Sequence, residues 1–224
     1  MHKFMTLSQS EENYIKAIYS LQEKNKGSIS TNDLAEKMDT KASSVTDMVK
    51  RLADKKLITY VKYQGCALTK EGVKTALKTI RKHRLWETFL VEKLKFGWDE
   101  VHDIAEQLEH VQSQKLTNQL DEFLNFPKYD PHGDPIPDKE GDFVKREETV
   151  KLNELPLNKK AIVIGVSDGS PSFLRYLDSH KITLGTTIEV LEIFEFDESR
   201  KVAVSGTTLN LSTAATSKLT VQLK

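Results

Sequence analysis

Apolar side chains recur every three to four positions over the first 124 residues, and beyond residue 149 they fall into short β-type runs. Ser8 with Glu11 three residues on has the form of a capping box, which starts a helix. Tyr14, Ile15, Ile18, Tyr19 and Leu21 give that helix an apolar stripe, and Lys26-Gly27 ends it. Ser30 or Thr31 is placed to cap a second helix with Leu34, Ala35 and Met38 inward. A turn through Asp39 and Thr40 leads to a third, capped by Ser43 or Ser44, whose inward residues are Val45, Met48, Val49 and Leu52. Residues 58–69 are rich in β-formers and broken by Gln64-Gly65, the pattern of a hairpin. Helical periodicity then returns over 73 to about 95, 99 to about 112, and 113–124. Four prolines and two glycines make 127–141 an ordered loop or linker.

Three helices followed by a hairpin describe a winged helix-turn-helix, the first part of an α+β multidomain chain. In the tail, strands are expected at 161–166, 187–194, 202–205, 209–211 and 219–223, with one short helix near Phe173 and Leu177. That many short strands in so few residues predict a small β-barrel.

Composition narrows the class. The chain has 224 residues, 38% of them hydrophobic, and no apolar run approaches the roughly 20 residues of a membrane span. Residues 1–8 lack the apolar core of an export signal, and a single cysteine, Cys66, fits a reducing compartment, so a cytoplasmic protein is expected. The net charge of zero hides a division: residues 40–85 carry twelve Lys/Arg against three Asp/Glu, and residues 86–148 carry seven against sixteen. A basic block followed by an acidic one suits a DNA-facing unit joined to a cation-binding unit, although two solvated surfaces of opposite sign read the same way.

Four of the six histidines lie between positions 83 and 132, each near a carboxylate. His83 and Glu87 are an i, i+4 pair. On a helix, His102, Glu106, Glu109 and His110 fall within about 100° of arc, opposite Ile104, Ala105, Leu108 and Val111. Asp130 and His132 follow in the proline-rich loop. An ordinary amphipathic helix also turns such a face to water. Against that stand the second His/Glu pair and the cost of stacking like charges without a cation. Imidazole nitrogen with carboxylate oxygen is the donor set of first-row divalent metals. Enzyme signatures are missing: there is no H-E-x-x-H, no G-x-S-x-G, and Gln107 stands where E-x-x-H would need an acid before His110. No enzyme is expected.

Three motifs carry a family likeness: H-R-L-x-E from His83, V-H-x-x-A-E-x-L-E-H from Val101, and P-H-G-x-P-I-P from Pro131. Following a winged helix in this order, they resemble the diphtheria-toxin-repressor family of iron- and manganese-dependent repressors, over residues 7 to about 140. The tail resembles the small β-barrel, of Src-homology-3 or ferrous-transport-A type, that many members append. The resemblance implies a primary metal site at His83, Glu106, Glu109 and His110, with a further ligand from the first helix at Asn13, or Glu12 in its place. It implies a second site at Glu87, Asp130 and His132, joined by His102 and by Asp168 reaching across from the tail. With no sulfur among these donors, Mn2+ or Fe2+ is expected, with a lean to Mn2+, while Co2+, Ni2+ and Zn2+ should bind in vitro.

The expected division is 1–72 for DNA binding, 73–146 for metal binding and dimerisation, and 147–224 for the barrel. Apolar faces of the 86–124 helices, including Trp86, Phe89, Leu90, Leu94 and Trp98, are expected to pack inside one subunit or to join two. For DNA, Ser43, Ser44, Thr46 and Asp47 open the third helix where base edges come within reach. Lys41, Lys50 and Arg51, with Lys62 and Gln64 on the wing, suit phosphate contacts. The expected function is a metal-dependent repressor of metal-homeostasis genes, acting as a homodimer on double-stranded DNA without a membrane. The alternatives are a winged-helix regulator answering to an organic ligand, its His/Glu cluster purely structural, and a metallohydrolase.

Overall fold

Ser8 opens the first helix as its spacing requires: its Oγ accepts from the Glu11 N–H at 3.3 Å and the Glu11 carboxylate accepts from the Ser8 N–H at 2.8 Å. The structure is a computed structural model that describes residues 7–224. The reading of the amino terminus falls mainly on residues 1–6, outside the described part. Two compact units emerge, and each draws on separate stretches of chain.

The first unit holds the chain up to His83 together with Glu109–Gln112 and Pro137–Asp142. Helix α1 (Gln9–Asn25) ends at Lys26 in a left-handed conformation, and α2 (Thr31–Lys37) is capped by Ser30. Helix α3 (Ala42–Asp54) begins one residue before the expected serine cap. Lys41 is its N-cap without any side-chain bond, and Ser43 and Ser44 lie exposed in the first turn. Burial of Val45, Val49 and Leu52 fixes the register of α3, so the local capping preference is overridden. Strands β1 (Ile58–Val61) and β2 (Gly65–Leu68) form the antiparallel wing, and Ile29 adds a third rung by bridging to Cys66. Gly65 has φ +93°, and a Cβ there would lie 2.4 Å from the Ile29 carbonyl oxygen, so the wing turn requires glycine. The core gathers Ile15, Ile18, Leu34, Val49, Leu52 and Ile58.

Helix α4 (Lys70–Glu92) is the long helix expected over 73–95, shifted three residues toward the amino terminus, and its residues from Arg84 onward belong to the second unit. That unit also contains α5 (His102–Leu108) and α6 (Gln114–Phe123), the latter capped by Ser113. Helix α5 is shorter than the expected 99–112. At its start, Glu100 is held in a turn with Gly97. At its end, Glu109–Gln112 joins the first unit, where buried ion pairs override helical continuation. Of the expected pairing residues, Leu90 is buried, Trp86 and Phe89 pack against Leu85, Leu120 and Leu124, and Trp98 packs against the core of the sheet. Leu94 stays exposed, as do Phe96, Phe123 and Phe126.

The remainder of the second unit is a six-stranded antiparallel sheet. Its strands are β3 (Val150–Lys151), β4 (Lys160–Val166), β5 (Thr187–Ile193), β6 (Arg200–Val204), β7 (Thr207–Leu211) and β8 (Leu219–Leu223), in the order β3-β8-β4-β5-β6-β7. Helix α7 (Pro171–Ser179) covers a single core that includes Val163, Leu174, Leu177, Ile188, Val202 and Val221. The two-residue strand β3 and a short helix α8 (Thr213–Thr216) carry too little pattern to be read from sequence. Among the described residues no helix is long and apolar enough to cross a membrane.

Ile18 is fully buried in the first core, so Ile18→Ala should lower unfolding free energy by about 2–5 kcal/mol, whereas Ser8→Ala should cost only ~1 kcal/mol. Chemical denaturation followed by circular dichroism checks both, and equal losses would show that the core assignment is wrong.

Candidate metal centres

The first centre lies wholly in the first unit. Helix α1 supplies Glu12, Asn13 and Lys16, α4 supplies Lys82 and His83, and the chain after α5 supplies Glu109, His110 and Gln112. Glu109 is fully buried and Glu12 nearly so. His83 Nδ1 lies 2.6 Å from Glu109 Oε2, and the Lys16 ammonium reaches Oε1 at 2.6 Å and Oε2 at 2.8 Å. His110 Nδ1 lies 2.6 Å from Glu12 Oε2, and the Gln112 amide donates to Glu12 Oε1 at 2.7 Å. His110 Nε2 stands 3.8 Å from Glu109 Oε1, and Lys82 stands 3.8 Å from Glu12.

Charge decides how these groups behave. Burial pushes the Glu109 carboxyl up, but the His83 hydrogen bond and the Lys16 charge outweigh it and hold the group below its usual range. Burial draws the Lys82 ammonium down, with Glu12 and Glu109 pulling the other way. The side-chain oxygen of Asn13 is buried and finds no hydrogen-bond partner among the described residues. Such an orphan costs about 1–3 kcal/mol. A cation beside it would offset that cost, and carboxylate, imidazole and amide oxygen together make a donor set for a hard or borderline divalent ion. The residues present therefore fit a metal.

The second centre lies wholly in the second unit. One ligand atom each of Glu87, Asp130 and His132 falls within 4.8 Å of the others, and all three residues are buried. The loop is built for this. Asp130 Oδ1 accepts the N–H groups of His132 and Asp134, both at 2.9 Å. Gly133 has φ +87°, and a Cβ there would lie 2.2 Å from the Ile164 carbonyl oxygen, so only glycine lets the loop press this close to β4. His132 Nε2 donates to the Trp98 carbonyl at 2.8 Å and its ring stacks on Trp98 at 6.1 Å. In the neutral ring that bond puts the proton on Nε2, so Nδ1, 3.6 Å from Glu87 Oε2, is the nitrogen that could hold a metal. His102, mostly exposed, approaches Glu87 Oε1 at 3.4 Å.

Proton affinities here follow from burial and neighbours. Burial lowers the His132 pKa, but Glu87, Asp130 and the Trp98 carbonyl overcome it and raise the group to about 9. Burial, reinforced by Asp134 and Glu87, lifts Asp130 to about 7 despite Arg84 and His132.

Two further expected ligands are Glu106 and Asp168. Glu106 sits half-buried on α5 in the second unit. Asp168 holds the Lys218 ammonium and accepts the Ser170 N–H at 2.9 Å, so its carboxylate is occupied away from Glu87, Asp130 and His132. Lys16, Lys82, Gln112 and the Trp98 carbonyl were not expected. Lys16 was within reach of sequence reasoning, because it stands four residues after Glu12 and shares its helix face.

The expected DNA face is open. Lys41, Ser43, Ser44, Asp47, Lys50 and Arg51 are exposed on α3 or just before it, and Lys62, Tyr63 and Gln64 form the wing tip. Thr46 is half-buried and its hydroxyl donates to the Ala42 carbonyl at 2.9 Å.

The pKa shifts set a pH dependence. His132 and Asp130 both have folded pKa values above their unfolded ones, so the stability they lend is complete at low pH and is lost as pH rises through about 7 and about 9. Glu109, shifted down, acts in the opposite sense: the stability it lends is complete above its ordinary range and is lost only as the pH falls below that range. Chelator-treated protein should therefore melt at falling temperature between about pH 5 and pH 9, while the stabilisation gained on adding Mn2+ grows, because ligation displaces those protons. Melting curves across that range check this, and a manganese effect that shrinks toward alkaline pH would contradict it.

Comparisons with known proteins agree with this geometry. Three family models match: "Iron dependent repressor, N-terminal DNA binding domain" at residues 6–66, "Iron dependent repressor, metal binding and dimerisation domain" at 69–138, and "FeoA domain" at 150–223. The iron-dependent repressor IdeR of Mycobacterium tuberculosis is 34% identical over 131 residues, covering 58% of this chain and 56% of the relative, so the chain spans about half the length of such curated relatives. The regulator MntR of Oceanobacillus iheyensis is 35% identical over 121 residues, covering 54% of this chain and 81% of the relative. A solved structure described as a manganese-dependent transcriptional repressor in complex with manganese superposes with a TM-score of 0.84 at 36% identity, over 96% of this chain and all of that one. With a winged helix, two His/carboxylate centres and a FeoA-like sheet following one another in this order, the chain belongs to the iron-dependent repressor family.

Proposed function

We propose that this chain is a Mn2+- or Fe2+-dependent, DNA-binding transcriptional repressor of metal-homeostasis genes, acting in the cytoplasm as a homodimer and not as an enzyme. One observation carries the reading. Two buried carboxylates, Glu12 and Glu109, meet two imidazoles, His83 and His110, in the same unit as an exposed winged helix. A bound divalent ion would supply two positive charges there, held by Glu12, His83, Glu109 and His110, with Asn13 offering its amide oxygen. The second centre, at Glu87, Asp130 and His132 with His102 beside it, would hold another. The names of the relatives support both ions: IdeR is iron-dependent, and the matched solved repressor is manganese-dependent. Oxygen and nitrogen donors without sulfur favour Mn2+ modestly, and Co2+, Ni2+ and Zn2+ would bind in vitro.

The chain's own residues do the rest. Glu12 sits on α1 and His83 on α4, so a charge shared between them ties the first helix of the winged domain to the long helix. Helix α3 enters the major groove, where Ser43, Ser44 and Asp47 face base edges, while Lys41, Lys50 and Arg51 meet phosphates. The first turn of α3 has no side-chain cap, so its N–H groups are free to meet a phosphate oxygen. Lys62 and Gln64 on the wing add backbone contacts. Two copies pair through the exposed apolar residues Leu94, Phe96, Phe123 and Phe126 of the second unit. In this reading the segments are 1–72 for DNA, 73–146 for metal and pairing, and 147–224 for the FeoA-like sheet.

A gel shift with and without chelator tests the reading. Mn2+ should strengthen operator binding by the wild-type chain, and Glu109→Ala with His110→Ala should remove that stimulation, weakening manganese binding ~100-fold or more while circular dichroism stays unchanged. DNA binding that ignores chelator would favour a regulator of another kind. Replacing Lys50 or Arg51 with Ala should weaken binding to all sequences alike and lower the slope of log affinity against log salt by about 1 each. An unchanged salt slope would take both residues off the DNA face.

A further inference from the structure

Lys16 occupies the first centre in a way that no ligand assignment explains. Its ammonium sits on both oxygens of Glu109, at 2.6 and 2.8 Å, on the carboxylate that His83 also meets. The local charge is balanced: Glu12 and Glu109 bring two negative charges, and Lys16 and Lys82 bring two positive ones, the same total that one divalent ion would supply. The two lysines are not equivalent. Lys82 stands 3.8 Å from its carboxylate and its side chain is 12% exposed, whereas Lys16 makes two short bonds and its side chain is 22% exposed. A long flexible stem with part of its length in water can swing its head outward without moving the backbone. Lys16 is thus strongly held and also able to leave.

Resting on the proposed metal reading, the geometry points to Lys16 as a built-in competitor that sets the metal threshold of the first centre. The ammonium and a divalent ion are alternative occupants of Glu109. Both oxygens of that carboxylate are already engaged by Lys16, and two cations on one buried carboxylate repel strongly in a medium of low polarity. Metal binding therefore includes breaking the Lys16–Glu109 pair and returning the ammonium to water. The affinity seen in solution is weaker than the donor set alone would give, and the centre fills only when the ion is abundant enough to win the exchange. Lys16 is a tuning residue and not a ligand: it acts through Glu109, and its position on α1, four residues after Glu12, lets one helix present both a donor and the donor's rival.

Calorimetric titration of the full-length, chelator-stripped protein with Mn2+ alone distinguishes this from a structural role. Lys16→Met and Lys16→Gln should each bind Mn2+ about tenfold more tightly than wild type, the equivalent of one charged hydrogen bond that no longer has to be broken. Lys16→Arg keeps the charge and should bind no more tightly than wild type. If the lysine merely props the site open, its removal weakens binding. Equal or weaker affinity in both neutral variants therefore overturns the inference, and so does an arginine variant that tightens as much as they do. A wild-type chain that takes up no Mn2+ would instead sink the metal reading itself, a result separable from a titration in which wild type and variants bind alike.

Discussion

A carboxylate taken out of water costs several kcal/mol unless positive charge and hydrogen bonds meet it. Glu109 is fully buried and Glu12 almost so, and the first unit is arranged around satisfying them. Lys16 and His83 close on one, His110 and Gln112 on the other, with Lys82 near by. This requirement explains why the four-residue stretch Glu109–Gln112 leaves the course of α5 and pairs with α1, nearly a hundred residues earlier in the chain. It also explains why α1 carries Glu12 and Lys16, an acid and a lysine at i, i+4, on one face of what is otherwise an ordinary amphipathic helix. The winged helix beside these groups shares its first helix with them, so the state of the centre and the position of the DNA-reading elements are properties of one unit.

The second unit meets the same constraint differently. Glu87 and Asp130 are buried near each other, and the compensating charge comes from Arg84 and from a proton retained on His132. Asp130 also spends one oxygen on the backbone of the Pro-His-Gly turn, which makes it a structural residue before it is anything else. The Trp98 carbonyl orients the imidazole from the far side. One centre is thus balanced chiefly by ammonium groups and the other by a guanidinium and a proton. In the proposed metal reading, a cation would meet a lysine side chain in the first and protons in the second. Two centres in one chain can therefore answer to different variables, even though both draw on nitrogen and oxygen donors.

The family relationship fits these physical features without replacing them. A relative named as an iron-dependent repressor is 34% identical to this chain, and a solved manganese-dependent repressor is 36% identical and superposes over 96% of it. The structure of this chain adds an asparagine whose amide oxygen finds no partner among the described residues, a lysine seated on Glu109, and an aspartate in the sheet domain paired with Lys218.

Much of the fold was written in local pattern. The capping box of α1 and the serine caps of α2 and α6 rest on interactions within a few residues, and the apolar spacing of α3 and of the tail strands marks which face is buried, so sequence spacing records both directly. The errors have a common cause. The start of α3 was moved by burial of Val45 and Val49, and the end of α5 by ion pairs with residues nearly a hundred positions away. The candidate ligands were legible as residue types, since His83, Glu109, His110, Glu87, Asp130 and His132 stand in recognisable spacings. Which carboxylate meets which imidazole, and that lysines, an arginine and a backbone carbonyl join them, was not legible. Those pairings are made between elements distant in the chain, where the free energy of burying charge, and not any local preference, selects the neighbour.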